Sequence, residues 1–221
     1  MPWFTPDTIA FLNDLEENND REWFHSNKKR YEKSVKGPVL EFAAEMIEQM
    51  RKLDPEITML PKNAVFRINR DTRFSKDKSP YKTNIGLVVT RGAKHDPGRP
   101  GLYFHLDGKS MAVASGCYFL LPDQIRAIRE LIMANMAKFD RLLKEPDFKR
   151  TFGEVVGEKN KILPPEFREA AALQPLLFNK QFFYWAEHKP EEALRDDLPE
   201  FVMANIRAAQ PMNAFLARAL A

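Results

Sequence analysis

The sequence predicts an α+β fold, with an antiparallel sheet of about four to five strands in mid-chain, packed by N-terminal and C-terminal helices. The hydrophobic period supports this prediction. Apolar residues recur at helical spacing up to Met50, alternate from about Ala64 to Cys117, and return to helical spacing after Pro122. Helices before the strands and helices after them describe an α+β domain.

Three helices are predicted before the sheet. The first begins at Thr5 and Pro6, because a hydroxyl can cap a helix and proline suits its first turn. The second follows the polar run NND, and the third follows a break at Gly37 and Pro38. Their apolar positions are Ile9, Leu12 and Leu15, then Trp23, Phe24 and Tyr31, then Val39, Phe42, Met46 and Met50.

The predicted strands share an alternation of apolar and other residues. They cover residues 64–69, 84–89, 102–107, 111–117 and, as a candidate edge strand, 181–186. Asp107 and Gly108 are a strong signal for a two-residue hairpin turn. The glycine- and proline-rich segment 92–101 is predicted to be an exposed loop.

The C-terminal half is predicted to be mainly helical. A long helix opens at Pro122, and shorter helical pieces lie around Phe148 and at 166–173. A final helix starts near Pro199, and Pro211 is expected to kink or break it, because proline removes a backbone hydrogen bond.

Length and composition favour one domain covering residues 1–221. The single cysteine, Cys117, excludes an intrachain disulfide and fits a reducing compartment. The opening residues lack the basic and apolar regions of a signal peptide, and the longest uncharged run, 110–122, is too short to span a bilayer. We therefore expect a soluble cytoplasmic protein without membrane contact.

The stretch from Lys62 to Arg91 concentrates positive charge. Between Arg67 and Lys82 six cations stand against two carboxylates, an excess of four, whereas the whole chain sums to +3. Crowded cations repel each other unless carboxylates or a bound anion lie among them, so the stretch predicts an anion site. Its predicted ligand-binding residues are Arg67, Arg70, Arg73, Lys76, Lys78, Tyr81 and Lys82.

Three interpretations of this stretch remain open. In the first, it binds a small phosphate- or carboxylate-bearing ligand. In the second, it docks nucleic acid, with Phe74 and Tyr81 as stacking platforms, or an acidic protein partner. In the third, Asp71 and Asp77 pair with Arg70, Arg73 and Lys76, and the charges only fix a long connection.

Catalytic residues are weakly indicated. If the protein is an enzyme, His105 or Tyr103 is the candidate general acid or base. The expected turn would place His105 opposite Ser110 and far from Cys117, so a cysteine–histidine pair is not predicted. The histidines show no metal-ligand spacing, and neither a cofactor nor an oligomeric state can be assigned.

The basic stretch contains a long and specific set of residues: Phe66, Arg67, Ile68, Arg70, Asp71, Arg73, Phe74, Ser75, Lys76, Asp77, Lys78, Pro80, Tyr81, Lys82, Ile85 and Gly86. This set resembles the signature of the family called domain of unknown function 2461, which is mainly bacterial and fungal. The resemblance extends to NNDREWFHSNKKRYE, GLYFHL and CYFLLPDQIRAIRELI, and so covers nearly the whole chain. It implies a single soluble domain and supplies no catalytic residues. Two departures are Asn69, where many members have an aromatic residue, and 114–116, where glycines are common.

Overall fold

The sheet of the computed structural model confirms the predicted α+β class. The model describes residues 2–73, 75–91 and 99–220, and the fold is mixed, with 54% helix. The strands are β1 (Asn84–Val89), β2 (Leu102–Asp107), β3 (Met111–Cys117) and β4 (Phe182–His188). They form one antiparallel sheet in the order β1-β2-β3-β4, so the strand predicted around residues 181–186 lies at an edge.

The N-terminal helical segments follow the prediction with one correction. The helices are α1 (Pro6–Glu17), α2 (Arg21–Ser26), α3 (Lys28–Tyr31), α4 (Gly37–Leu53) and α5 (Pro61–Ala64). Asp20 caps α2, because its Oδ1 accepts the N–H of Trp23 at 2.8 Å. The predicted break at Gly37 and Pro38 is wrong: a π-helical turn, Glu32–Lys36, passes directly into α4, since proline fits the first turn of a helix.

The C-terminal helices differ from the prediction at two positions. They are α6 (Pro122–Ala134), α7 (Met136–Leu143), α8 (Pro146–Phe152), α9 (Pro165–Leu173) and α10 (Leu198–Ala217), with 3₁₀ turns at Pro175–Phe178 and Pro190–Leu194. The predicted long helix is two helices, because Asn135 leaves the helical conformation and its side chain bonds the Leu131 carbonyl. By contrast, α10 continues through Pro211, so the predicted break is wrong there, while the predicted kink stays a prediction; buried Ile206 and Met212 hold the helix by packing.

The strand predicted at residues 64–69 is not part of the sheet. α5 ends at Ala64, and extended backbone follows. Two isolated antiparallel bridges replace the strand, Val65 to Leu87 and Asn69 to Tyr81. The prediction was wrong because the first bridge uses β1 and the second uses the returning loop, so no single partner strand accompanies the segment.

The β2–β3 hairpin turns one residue later than predicted. The N–H of Asp107 donates to the Ser110 carbonyl at 2.9 Å, so the central residues are Gly108 and Lys109. A Cβ atom on Gly108 would lie 1.8 Å from Oδ1 of Asn13 in α1. Any other residue in this position would have to displace the Asn13 side chain, so glycine is the residue that fits the turn without rearrangement.

The chain forms two compact units, each built from separated segments. Unit 1 comprises Met1–Val89, Tyr103–Val113 and Glu187–Met203, and unit 2 comprises Thr90–Leu102, Ala114–Ala186 and Ala204–Ala221. Stacked and edge-on rings of Phe4, Phe42 and Phe104 fill the core of unit 1. Tyr184, packed by Phe148 and Phe152, lies in the core of unit 2. The single-domain assignment stays a prediction.

Alternation along β2 determines which side chains remain accessible. Leu102, Phe104 and Leu106 are fully buried, whereas the residue that follows each of them is only partly buried. Those residues are Tyr103, His105 and Asp107. The strand therefore aligns three polar side chains on its other face.

Candidate functional site

The basic loop, residues 67–82, is closed by backbone pairing at its base. Lys82 N–H donates to the Ile68 carbonyl at 2.8 Å, and Arg70 N–H donates to the Pro80 carbonyl at 2.9 Å. The side-chain amide of Asn19 adds a second connection, because it donates to the Tyr81 carbonyl at 3.0 Å and accepts the Tyr81 N–H at 3.1 Å. A neutral amide from the N-terminal segment thus fixes the end of the loop.

Two arginines of the basic loop have carboxylate partners. Arg73 makes a two-bonded pair with Asp71, with Nε–Oδ1 and Nη2–Oδ2 distances of 3.0 and 2.7 Å. Arg70 pairs with Asp77. The third interpretation of the sequence predicted that Asp71 and Asp77 pair with arginines of the loop, and these pairs are present for Arg70 and Arg73. Both pairs are exposed to solvent, where such pairs contribute little to stability.

The same contacts lower the pKa values of both carboxyl groups. The side-chain and backbone hydrogen bonds from Arg73 lower the pKa of Asp71 to about 2. The hydroxyl and N–H of Ser79, followed by Arg70, lower the pKa of Asp77 to about 2. Each carboxylate is therefore ionised at neutral pH and occupied by local donors.

The other cations of the loop have different environments. Lys78 donates from Nζ to the Thr72 carbonyl at 2.9 Å. Arg67 and Lys76 are exposed and form no ion pair within the described ranges. Lys82 Nζ lies 5.1 Å from the ring centre of Phe66, and burial together with the charge of Arg67 lowers its pKa. Only some of the predicted binding cations are therefore neutralised by carboxylates.

A polar cleft of about 480 Å³ opens beside the basic loop. It brings together three predicted residues, Arg70, Lys78 and Tyr81, whereas Arg67, Arg73, Lys76 and Lys82 do not line it. The remaining lining residues are Asn19, Asp20, Arg21, Asn69, Thr72 and Pro80. Sequence reasoning missed Arg21 and Asn19, which lie about fifty residues before the loop and carry no local signal of proximity to it.

The ring of Tyr81 is used for packing. It stacks on Phe24 with ring centres 4.0 Å apart and an interplanar angle of 18°. The second predicted stacking residue, Phe74, lies outside the described residues. The described part of the loop therefore offers cations and amides to a ligand, and one face of the Tyr81 ring is already covered.

A second polar cluster lies on the partly buried face of β2. His105 Nε2 is 2.9 Å from Asp107 Oδ2, and His105 Nδ1 is 3.4 Å from the Tyr103 hydroxyl. Asn84, from β1, places its amide nitrogen 3.3 Å from the same Nδ1. The two weak catalytic candidates from the sequence are thus in contact with each other and with a carboxylate.

Asp107 holds this cluster from the hairpin. Its Oδ1 accepts the N–H groups of Lys109 and Ser110, both at 2.7 Å, and its Oδ2 faces the imidazole. Burial opposes ionisation, but the hydrogen bonds from His105 and the backbone hold the pKa of Asp107 below its ordinary value. In the sequence, Asp107 followed by Gly108 was interpreted only as a turn, so the contact of Asp107 with His105 was not predicted. The alternation of polar residues along β2 could have indicated it.

Close packing on β1 and the basic loop borders the cluster. A Cβ atom on Gly86 would lie 3.2 Å from both the Tyr103 hydroxyl and Phe66, so glycine makes space for the phenol over β1. Phe66 meets the Tyr103 ring edge-on at 6.2 Å and carries Lys82 above its own ring. The sequence predicted that His105 faces Ser110 across the turn, and this prediction is wrong. Because the turn lies one residue later, Ser110 is opposite Asp107.

Other candidate chemistry is not supported by the described residues. Cys117 is fully buried in an apolar cluster, and burial raises its thiol pKa to about 12, which suits a core residue. No group of three or more metal-binding side chains occurs within residues 2–73, 75–91 and 99–220. In the same ranges, no helix has the length and apolar character needed to cross a membrane.

Comparison with known proteins places the chain in a family. Among curated proteins, none matches it. One family model, described as conserved hypothetical protein (DUF2461), matches residues 7–215 and therefore includes both the basic loop and the β2 cluster. This match agrees with the resemblance found in the sequence, and the chain belongs to the DUF2461 family.

Proposed function

We propose that the protein binds a small phosphate- or carboxylate-bearing ligand in the cleft beside the basic loop. The cleft itself is the observation that supports this proposal. Three cations, Arg21, Arg70 and Lys78, line it with one carboxylate, Asp20, whose Oδ1 caps α2. Arg70 is also paired with Asp77 outside the lining, so one positive charge remains in excess. Excess positive charge in a concave polar surface attracts anions.

The dimensions and donors of the cleft suit a small ligand. Ligand pockets commonly measure about 300 to 1,000 Å³, and this cleft lies within that range. Lys78 uses one hydrogen bond on the Thr72 carbonyl, and an ammonium group has three donors. The Asp77 carboxylate fixes the Arg70 side chain, which reduces the entropy that the guanidinium loses when it binds an anion.

Nucleic acid is less well supported than a small ligand. Base stacking needs an exposed aromatic face, and Tyr81 already stacks on Phe24. The surplus cations would still attract phosphate groups of any kind, and acidic proteins as well. Oligonucleotide binding is therefore a competing outcome of the same experiment.

The test is thermal unfolding with inorganic phosphate, pyrophosphate, citrate and a short oligonucleotide, each at low and high salt. A ligand at 100 times its Kd stabilises a protein by about 2.7 kcal/mol. We expect one small anion to raise Tm, and Lys78→Gln to abolish most of the shift. Lys76→Gln is the matched control, because it removes the same charge two residues away and outside the cleft.

Three results would contradict the proposal. Equal losses in the two lysine variants would show a diffuse electrostatic effect rather than a site. A shift produced only by the oligonucleotide, and lost steeply with salt, would support the nucleic-acid interpretation. No shift with any of the four probes would leave the loop as an internal ion-pair network.

We further propose that the chain is one cooperative domain in the cytoplasm. The family match over residues 7–215 supports a single domain, and the lone buried Cys117 fits a reducing compartment. Denaturant unfolding followed by tryptophan fluorescence and by far-UV circular dichroism should give coincident transitions. Two separated transitions would show that the compact units unfold independently.

A further inference from the structure

The polar residues of β2 form a continuous line from carboxylate to phenol. Asp107 Oδ2 lies 2.9 Å from His105 Nε2, and His105 Nδ1 lies 3.4 Å from the Tyr103 hydroxyl. None of the three residues lines the cleft beside the basic loop. We propose that Tyr103 is a general acid–base residue, that His105 exchanges a proton with it, and that Asp107 positions the imidazole.

The neighbours of His105 determine where its proton lies. The Asn84 amide nitrogen lies 3.3 Å from Nδ1, and because an amide nitrogen donates, we assign Nδ1 as the acceptor in the proposed arrangement. The proton of the neutral imidazole is then on Nε2 and points at the Asp107 carboxylate. In this tautomer the single Nδ1 lone pair lies within reach of both the Asn84 amide and the Tyr103 hydroxyl, and it is the proposed acceptor of the phenol proton.

This arrangement supports a balanced proton transfer. A proton leaves the substrate for the Tyr103 oxygen while the Tyr103 hydroxyl proton moves to Nδ1 of His105. The products are a deprotonated substrate, a neutral tyrosine and an imidazolium, whose charge the Asp107 carboxylate offsets. The reverse transfer delivers a proton and restores the starting state. Tyr103, His105 and Asp107 correspond in position to the hydroxyl, the imidazole base and the orienting carboxylate of a hydrolase triad.

The surroundings of Tyr103 indicate the substrate class. Lys82 lies above the ring of Phe66, and that ring contacts the Tyr103 ring edge-on. The positive charge of Arg67 also acts on Lys82 and lowers its pKa. A cation on Phe66, whose ring contacts the Tyr103 ring, favours a substrate whose negative charge grows when it loses its proton. A small organic acid or phosphate ester with an acidic proton has this chemistry.

The first experiment measures acetylation of Tyr103 by N-acetylimidazole at neutral pH, followed by peptide mass spectrometry. The acetyl group moves from the reagent nitrogen to the phenol oxygen, and the phenol proton leaves with the released imidazole. We expect His105→Asn to slow acetylation of Tyr103 by about tenfold or more, because general-base assistance is lost. Tyr118, which is 52% exposed, is the internal control and should react equally in both proteins.

Equal rates at Tyr103 in the wild type and in His105→Asn would overturn the proposal. Acetylation of Tyr118 without any at Tyr103 in the wild type would also overturn it. This test has no contribution from Lys78, so its failure would leave anion binding in the cleft untouched, and the failure of anion binding would not affect it.

A second measurement needs no loss-of-function variant at His105. Nitrogen NMR of the wild type should show His105 protonated on Nε2 and unprotonated on Nδ1. Asp107→Asn should reverse this tautomer, because an amide nitrogen would then donate to Nε2, and should slow acetylation of Tyr103 to the same extent. The opposite tautomer in the wild type, or an unchanged tautomer in Asp107→Asn, would contradict the proposed roles.

Discussion

Arg129 in α6 and Arg73 in the basic loop carry the same charge in opposite settings. Arg73 is 76% exposed and holds Asp71 through two hydrogen bonds. Arg129 is 5% exposed, and no described carboxylate pairs with it. Its Nη2 donates to the Asn179 carbonyl at 3.1 Å, while its Nε and both side-chain polar atoms of Asn179 have no hydrogen-bond partner among the described residues.

The comparison of Arg73 with Arg129 shows that a high density of charges in the sequence does not indicate a large contribution to stability. The basic loop is conspicuous in the sequence, but its pairs lie in water, where an ion pair gains little. Arg129 stands alone in an apolar stripe, and burial lowers the pKa of its guanidinium. A buried charge without a carboxylate is costly, so every contact that Arg129 does make has larger consequences for stability.

The largest effect is expected at Arg129. Arg129→Ala should lower the free energy of unfolding by about 2 to 4 kcal/mol, because it removes the packed aliphatic stem and leaves a void. Arg129→Met should cost less than about 1 kcal/mol, because methionine keeps much of the stem and removes the uncompensated charge. Urea denaturation measures both values. If the methionine variant were as unstable as the alanine variant, the charge itself would be stabilising and the comparison would fail.

A smaller effect is expected at Asn19, a neutral residue that fixes the basic loop. Asn19→Asp replaces the donor to the Tyr81 carbonyl by an acceptor, so two oxygen atoms would face each other. We expect a loss of about 1 to 2 kcal/mol at neutral pH, the usual cost of an unsatisfied, partly buried hydrogen-bonding group. Asn63→Asp, at an exposed position in α5, is the control with the same change of charge. An equal loss in the control would assign the effect to charge and not to the hydrogen bond.

The smallest effect is expected at the exposed pairs. At neutral pH, Asp71→Asn with Asp77→Asn should lower the unfolding midpoint only slightly, because exposed ion pairs contribute little to stability. Both folded pKa values, about 2, lie below the ordinary value of 3.8, so the stability from ionisation is present above 3.8 and is lost as pH falls towards 2. Thermal melts should therefore show the wild type losing stability relative to the double variant within this window.

High salt provides a check on the same pairs. At 1 M salt the Debye length is about 3 Å, so any difference between the wild type and the double variant should disappear. The cost of Arg129→Ala should persist at that salt concentration, because it comes from lost packing of the buried stem, which salt does not screen. A cost that vanished with salt would place Arg129 in an aqueous environment.

The sequence predicted the elements of the fold well where periodicity decides the structure. Burial alternates on β2 as expected, and the helical stripe before the sheet is present in α4. The predictions were wrong where an interaction outside the local sequence pattern determines the secondary structure. Residues 64–69 alternate correctly but lack one continuous partner strand, and Asn135 divides a helix through a single side-chain bond.

The candidate site was predicted only in part, for similar reasons. Charge counting found the basic loop but could not show that Arg73 pairs with Asp71 or that Arg21 joins the cleft, because those facts depend on three-dimensional proximity. A dipeptide turn signal dominated the interpretation of Asp107, although the residue also bonds His105. The burial of Arg129 had no visible signal, since a single arginine next to an apolar stripe normally reaches solvent.

The contact between Gly108 and Asn13 has a consequence for the order of folding. The Asn13 side chain of α1 lies against Gly108 in the turn, and Lys109, the next residue, bonds Glu16 of the same helix at 2.6 Å. The hairpin can form its own ladder from neighbouring residues, but its tip reaches native packing only after a segment from the start of the chain has docked. Closing so long a loop is entropically costly, so the tip is expected to order late and to separate early during unfolding.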